Sequence, residues 1–307
     1  MIIKSYISSV QNIKIPLILI AFFAFSFIGK AQQFTPNTEV GVLLGASYYL
    51  GDLNTTHFKN ALPCGGLVIR KNIDRRFSYK AELLYLNVAA DDLDNPTDTI
   101  ALSRKLHFQS AIYELSGQIE FNFLPYDPGN ALYTWTPFVY AGISFFHFNP
   151  KAENKDGLLV NLQELGTEGQ GTTIFQNRSK YSLTQFAIPM GGGLKIAVNP
   201  SFNIIFEYGI RKTFTDYLDD VSTTYPGKEV LIPEYGIASF DMSDGYWRGD
   251  DDIKVEHKSG SARGNPNCVQ STPSSLEFAP NAVTLSSVDS PLPANCHKKY
   301  RQYIFFT

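Results

Sequence analysis

A two-residue rhythm of apolar and polar side chains runs along most of this 307-residue chain and constrains its fold more than any motif. In "TQFAIPMGGGLKIAVNPSFNIIFEYGIRKTF", Phe186, Ile188, Met190, Gly192, Leu194, Ile196 and Val198 share one face of an extended backbone. Gln185, Ala187, Pro189, Gly191, Gly193 and Lys195 share the other. Asn199-Pro200 reads as a tight turn, after which Phe202, Ile204, Phe206, Tyr208 and Ile210 alternate with Asn203, Ile205, Glu207, Gly209 and Arg211. The stretch is a hairpin. The triple glycine followed by Lys195 is not a phosphate loop, because the first glycine of GxxxxGK[ST] is missing and no helical pattern follows. The same template finds strands at Thr38 to Leu50, Gly65 to Lys71, Phe77 to Asn87, Leu106 to Phe123 and Trp135 to Phe148.

The connections alternate in length. Asn72 to Arg76, Leu124 to Thr134 and Asn199-Pro200 are short, whereas Gly51 to Cys64, Val88 to Lys105, Asn149 to Ser182 and the run from Phe214 onward are long. Short turns at one end and long loops at the other is the topology of an outer-membrane barrel. A soluble sandwich has no reason to gather its long loops at one end, and its strands average only about six residues. The expected fold class is therefore all-β: a small antiparallel outer-membrane β-barrel of about eight strands, whose eighth strand the tail supplies poorly or not at all.

On the strand faces, Lys80, Glu82, Glu114, Gln118, Glu120, Lys195, Glu207 and Arg211 are expected to point inward and pair across the lumen. An interior of about eight strands is only wide enough for side chains, so these charges read as a lumenal network and not as the lining of an open pore. Tyr48, Tyr49, Phe146, Phe148 and Phe214 at one end, and Phe123, Tyr126, Tyr133 and Trp135 at the other, are expected to form the two interfacial girdles.

The amino terminus carries Lys4 and Lys14, an apolar run from Ile15 to Ile28, and Gly29-Lys30-Ala31. It reads as a signal peptide over residues 1–31, and its apolar run falls short of the roughly twenty residues a membrane helix needs. The barrel then occupies 32–267, and 268–307 is a Ser/Pro-rich tail. Aromatic usage is lopsided, with 23 Phe and 17 Tyr against 2 Trp, and most of it falls on the alternating segments. A net charge of -3 gives no electrostatic case for nucleic acid. Cys64, Cys268 and Cys296 have no metal-ligand spacing, and a Cys268–Cys296 bridge has little support.

Signals for chemistry are sparse. His57, His107 and His147 lie at the loop-side ends of strands, yet GxSxG, HExxH and CxxC are all absent. Asp216, Asp219 and Asp220 lack the glycine and the distal glutamate of a calcium loop and read as a hydrogen-bonded or solvated loop. The RGD tripeptide at Arg248 to Asp250 is a short pattern with a high chance rate. No enzyme, cofactor or metal is expected.

Five stretches carry a resemblance: "EVGVLLGASYYLGDLN" from Glu39, "FQSAIYELSGQIEFNFLPYD" from Phe108, "TPFVYAGISFFHFNPKA" from Thr136, "LGTEGQG" from Leu165 and "RKTFTDYLDDVSTTY" from Arg211. In this order they resemble the PorG family, a small outer-membrane barrel of the type IX secretion system of Bacteroidota, from about Glu39 to Asn267. The resemblance implies a non-enzymatic subunit, set among outer-membrane lipids of a Gram-negative bacterium. Its partners would be a periplasmic ring lipoprotein and that ring's soluble protein, met through the periplasmic turns at Asn72, Asp74, Arg75, Arg76, Tyr126 and Asp127. The other readings are a surface adhesion barrel acting through its external loops, an outer-membrane lipid enzyme and a passive pore.

After "SARGNPN" the chain departs from the family's final amphipathic strand. Either Tyr300 to Phe306 serves poorly as the eighth strand, or the reading frame is altered near Asn267 and the native ending is missing; the second is the expectation. Sequencing the coding region past Asn267 should find a shifted frame that encodes an alternating strand ending in an aromatic residue. Its absence would sink that reading.

Overall fold

A computed structural model describes residues 34–248, 263 and 302–306. The signal segment 1–31, Cys268, Cys296, Gly249 and Asp250 of the RGD tripeptide, and most of the tail beyond Asn267 lie outside the described residues. The chain divides into Met1–Pro36 and Asn37–Thr307, and the second unit holds the strands.

The strands are β1 (Asn37–Leu50), β2 (Leu62–Asn72), β3 (Phe77–Asp91), β4 (His107–Asn122), β5 (Trp135–Phe148), a small hairpin of β6 (Lys151–Glu153) and β7 (Leu159–Asn161), then β8 (Thr184–Asn199), β9 (Phe202–Thr213) and β10 (Gln302–Phe306). Every neighbouring pair is antiparallel, and the β3–β4 and β1–β10 pairings close the sheet into a ring of eight strands. Closure removes the soluble sandwich as an alternative, since a sandwich keeps two separate sheets. The short turns join β2 to β3, β4 to β5 and β8 to β9 at one end. The long loops gather at the other and carry α1 (Thr99–Arg104), α2 (Leu162–Leu165), α3 (Lys228–Tyr235) and α4 (Ile237–Asp244).

The glycine run lies in the middle of β8 and serves the inside of the wall. A Cβ on Gly191 would come within 2.7 Å of the Tyr140 hydroxyl, and one on Gly193 within 2.9 Å of the Phe138 ring. The atoms nearest to those Cβ positions are the Tyr208 and Phe206 carbonyl oxygens of β9, so the two glycines make room for the adjoining backbone as well as for aromatic rings that lie inward from β5.

Outside and inside are inverted relative to a water-soluble barrel. Val40, Val42, Leu44, Leu67, Ile69, Leu83, Tyr85, Tyr113, Leu115, Ile143, Phe145 and Phe206 all stand exposed on the outer face, while Lys80, Glu82, Glu120, Lys195 and Arg211 are buried within. Such an exposed apolar wall is stable only against lipid, so the barrel is a membrane-spanning one. Among the described residues no helix is long and apolar enough to cross a membrane; the strands do so.

Four of the nine expected girdle residues lie elsewhere. Tyr49, Phe146 and Phe148 point inward and are buried with Leu84, Leu86, Val88, Phe108, Ile112 and Tyr303. Leu162, Leu218, Val221 and Met242 of the loops complete this core. Above the lipid the strands form the wall of a loop-filled cap, so their inner side chains meet protein. Tyr126 is likewise buried at the opposite mouth. Tyr48 keeps its outward position but is covered: its hydroxyl meets His57 Nδ1 and the Tyr208 hydroxyl, each at 2.9 Å, and Phe58 packs on its ring. Phe123, Trp135 and Phe214 are exposed and Tyr133 is half-buried.

The eighth strand, placed in question by the tail's sequence, forms. Gln302–Phe306 pairs Leu50 to Ala46 on one side and Lys212 to Tyr208 on the other. Among the described residues its five positions pair with the loop-side part of β1, which has 14 residues, and of β9, which has 12.

Leu115 faces outward between Leu83 and Phe145 at mid-strand. Leu115→Arg should destabilise the barrel in phospholipid vesicles by about 2–4 kcal/mol, read by reversible guanidinium unfolding; a change within about 0.5 kcal/mol, the scale of an ordinary surface substitution, would contradict the lipid-facing assignment.

Candidate functional site

Alternation alone brings eight polar residues onto the inner face, and the curved wall then aims them at one another. Glu120 on β4 is the hub of the lower lumen. Arg70 Nε and Nη2 donate to its two oxygens at 2.7 and 3.1 Å, and Lys195 Nζ donates to Oε2 at 2.5 Å. Lys80 Nζ sits between Glu207, at 2.7 and 2.9 Å, and Glu82, at 2.8 Å, and it also caps the Tyr140 ring at 4.0 Å. Arg211 reaches Glu114 at 3.2 Å and Glu82 at 3.4 Å. Gln118 Nε2 donates to Glu82 at 2.6 Å.

All eight expected lumenal residues thus belong to one buried network. The charged side chains of Lys80, Glu82, Glu114, Glu120, Lys195 and Arg211 have 0% exposure, so water does not reach them and they fill the cross-section. Three members were not singled out from the sequence. Arg70 alternates inward with Cys64, Val68 and Asn72, Glu39 lies 3.3 Å from Arg70, and the Tyr303 hydroxyl donates to Glu114 at 2.6 Å. The polar alternation in "GGLVIRKN" was a usable signal for Arg70; Tyr303 becomes a partner only through ring closure.

A second charged cluster lies in the loops. Glu168 of the "LGTEGQG" stretch accepts from the backbone of Ser222 and Thr223 at 2.8 and 2.9 Å and from the Thr223 hydroxyl at 2.6 Å. Asp220 accepts from the Tyr181 hydroxyl at 2.8 Å and from Thr167. Asp219 accepts from Tyr49 on the barrel wall at 2.5 Å. Arg263 lies between them. Its Nη1 is 3.4 Å from both Glu168 and Asp220, and the same nitrogen donates to the Asp220 carbonyl at 2.5 Å. Gly166, Gly169 and Gly171 have φ of +57°, +76° and +79°, which explains glycine at these three places. Burial holds the Asp220 carboxyl above the ordinary carboxylate range, outweighing the Arg263 charge and the Thr167 hydroxyl, which pull it down. The Asp216 to Asp220 run is therefore a hydrogen-bonded loop, knitted to a distant glycine turn.

At the short-turn end the expected contact residues divide. Asn72 is buried, donating to Asn37 at 2.5 Å and to Glu39 at 2.7 Å, and Tyr126 is also buried; neither can face a partner. Both belong to the inner face, which alternation assigns to Asn72 and which the return of the β4–β5 turn imposes on Tyr126. Asp74, Arg75, Arg76 and Asp127 remain at the surface. Arg75 clamps the two turns together, lying 3.1 Å from Asp127 and 4.8 Å from the centre of the Tyr133 ring, while Asp74 Oδ1 accepts from the backbone of Arg76 and Phe77. Beside them Leu132 is 82% exposed, a feature the strand pattern did not single out because it sits in a turn. The histidines are dispersed: His57 meets Tyr48, His107 Nε2 accepts from Glu153 N at 2.9 Å, and His147 Nδ1 lies 3.0 Å from the Thr184 hydroxyl.

Among protein families, the one described as "Domain of unknown function (DUF6089)" matches residues 16–231, which take in β1 to β9. No curated protein matches the chain in sequence. Among solved structures, the chain is similar to the N-terminal β-barrel domain of Pseudomonas aeruginosa OprF, at 12% identity and a TM-score of 0.32 over 60% of this chain and 89% of that one. It is also similar to Ail, the attachment invasion locus protein of Yersinia pestis, solved with the heparin analogue sucrose octasulfate. That match has 10% identity and a TM-score of 0.35 over 59% of this chain and 90% of that one.

Removing one partner from a buried ion network leaves uncompensated charge, so Glu120→Ala should cost about 3–5 kcal/mol of stability in detergent unfolding, while exposed Lys71→Ala should stay within about 0.5 kcal/mol. In the cap, Asp220 has a folded-state pKa above its unfolded value near 4. Its stabilising contribution is complete below about pH 4 and is lost as pH rises through the raised value. Hydrogen exchange over 165–171, corrected for intrinsic rates, should therefore show protection falling with rising pH, and Asp220→Asn should flatten that profile; an unchanged profile in the variant would refute the assignment.

Proposed function

The chain belongs to the DUF6089 family, and on the site geometry we propose that it is a non-enzymatic outer-membrane barrel subunit of a protein secretion apparatus, of the PorG-like type IX kind. In this reading it tethers or stabilises a periplasmic ring, made of a lipoprotein and a soluble protein, at the outer membrane. One observation carries the proposal. The two stretches most specific to the resemblance, "LGTEGQG" and "RKTFTDYLDDVSTTY", meet through Glu168 and Asp220 in one buried cluster with Arg263 at the loop end. With the lumen filled below it, this arrangement favours a barrel that holds other components over one that conducts solutes.

The exposed groups at the short-turn end suit that role. Leu132, Arg76 and Asp74 stand outward on a base stiffened by the Arg75–Asp127 clamp, so a partner meets a surface that needs little ordering on binding. Turns at this end are periplasmic in barrels of this topology.

A second reading, surface adhesion, is favoured by a cleft of about 600 Å³ at the loop end, lined by Asn60, Asp94, His107, Gln109, Trp247 and Arg248 among others. The two readings place the working surface at opposite ends of the barrel.

An affinity tag at Asn154, in the exposed turn between β6 and β7, should recover the ring lipoprotein and its soluble partner from outer membranes in mild detergent. Leu132→Asp with Arg76→Glu should reduce that recovery about tenfold, the effect of ~1.4 kcal/mol, while Ile237→Asp, at an exposed position of the loop end, should leave it unchanged. Recovery of the barrel alone, with secretion intact in a deletion strain, would refute the secretion reading and move the search to the external loops.

A further inference from the structure

The outward-facing residues of β3, β4 and β5 stand in rows across the wall, because the three strands keep one register, which β6 continues. Leu83, Leu115 and Phe145 form a row of the lipid belt. One row nearer the loops stand Tyr85, Tyr113 and His147, and one row further Asn87 and Ala111, with Asn149 level with them. Beyond these Gln109 lies opposite Lys151. Successive rows are about 7 Å apart along a strand. The wall thus passes from hydrocarbon contacts through tyrosines to amides and a cation, the order of groups met on leaving a bilayer core for its headgroups.

At this level the outer face carries a hollow of about 360 Å³, lined by Asn87, Gln109, Ala111, Tyr113, His147 and Lys151 among others. Ala111 opens it, because a methyl stands where the rows above and below carry Gln109 and Tyr113. The polar groups around it are largely unengaged. Among the described residues the half-buried Lys151 ammonium has no carboxylate partner, and neither the Gln109 amide nor the Tyr113 hydroxyl is hydrogen-bonded. His147 engages only Nδ1, with the Thr184 hydroxyl. Asn149 also lines the hollow; its Nδ2 donates to Asn161 at 3.2 Å, but its Oδ1 is buried and has no partner. A buried carbonyl without a donor is costly, and a ligand hydroxyl supplies one.

We propose that this hollow holds the headgroup of a phosphorylated glycolipid of the outer leaflet. Lys151 supplies the charge that meets the phosphate, a sugar hydroxyl donates to Asn149 Oδ1, and the Gln109 amide and the free ring nitrogen of His147 bond the remaining sugar groups. The acyl chains run down the belt past Tyr113 and Leu115. Basic pockets at this depth bind lipid headgroups by the same chemistry. One row above Lys151, the exposed Glu153 bounds the place of the anion. Continuity with the apolar rows below selects a lipid over a free phosphosugar. The inference rests on the membrane reading of the barrel and is independent of the secretion reading.

The test folds the full chain in tetraethylene glycol octyl ether micelles, which carry neither sugar nor phosphate, and titrates diphosphoryl lipid A by native mass spectrometry. Heat-modifiable gel mobility identifies the folded barrel in each variant. The same lipid stripped of phosphate should bind about tenfold more weakly, equivalent to ~1.4 kcal/mol. Lys151→Ala should lose the same factor, and Lys151→Arg should stay within about twofold, ~0.4 kcal/mol. Ala111→Phe fills the hollow without altering charge and should also weaken binding about tenfold. Lys71→Ala, on the outer face at the short-turn end, should leave it unchanged. Equal affinity for the two lipids, an equal loss in Lys71→Ala, full affinity in Ala111→Phe, or no lipid on a folded chain would overturn the proposal alone. Glucose-1-phosphate binding as tightly as the lipid would overturn it in favour of a soluble phosphosugar. A chain that neither folds in micelles nor enters vesicles would overturn the membrane reading and this inference together.

Discussion

Backbone hydrogen bonding in a medium without water is the constraint on which the rest of this structure depends. A strand crossing hydrocarbon must pair along both edges, and a sheet achieves this only by closing on itself. Closure of eight strands then makes a lumen too narrow for water to do the work of solvation. Charged groups pointing into it have to satisfy one another, which is why Glu120 holds Arg70 and Lys195 and why Lys80 lies between Glu82 and Glu207. The glycines of β8 follow from the same demand, because the rings of Tyr140 and Phe138 that pack beneath Lys80 and Lys195 need the space.

Along its axis the barrel changes solvent. The lower lumen is a charged network, the upper lumen is an apolar core, and above that the loops form a polar cluster around Glu168, Asp220 and Arg263. The consequence for function is that the molecule offers other components its ends and its outer wall, since its axis is filled. Arg75 and Asp127 stiffen one end by joining two turns far apart in sequence, and Tyr49 joins the wall to the cap through Asp219 at the other.

Much of the candidate site was legible before folding. The eight lumenal residues could be assigned because a polar side chain alternating with apolar ones on a long strand has only one side that does not face lipid. The misplaced residues share a cause. Tyr49, Phe146 and Phe148 look like interfacial aromatics when the strand is read alone, and they become core residues only because loops from elsewhere in the chain cover the mouth. Asn72 ends β2 on its inward register, which reading it as part of the turn concealed, and Tyr126 sits in a turn, where alternation ends and pattern gives no direction. The meeting of Glu168 with Ser222, Thr223 and Arg263 had no local signal beyond the glycines that shape the turn.

The sequence by itself determined the strands, their faces and the ends at which turns and loops gather, because a period of two and the position of turn residues are local properties of an extended backbone. Tertiary structure alone decided which charges pair across the lumen, that Tyr303 reaches Glu114, that the cap is tied by Arg263, and that Gln302–Phe306 lies between β1 and β9 and pairs with both. These outcomes depend on register and closure, which bring together residues such as Glu114 and Tyr303, 189 positions apart along the chain. No local pattern encodes such distances.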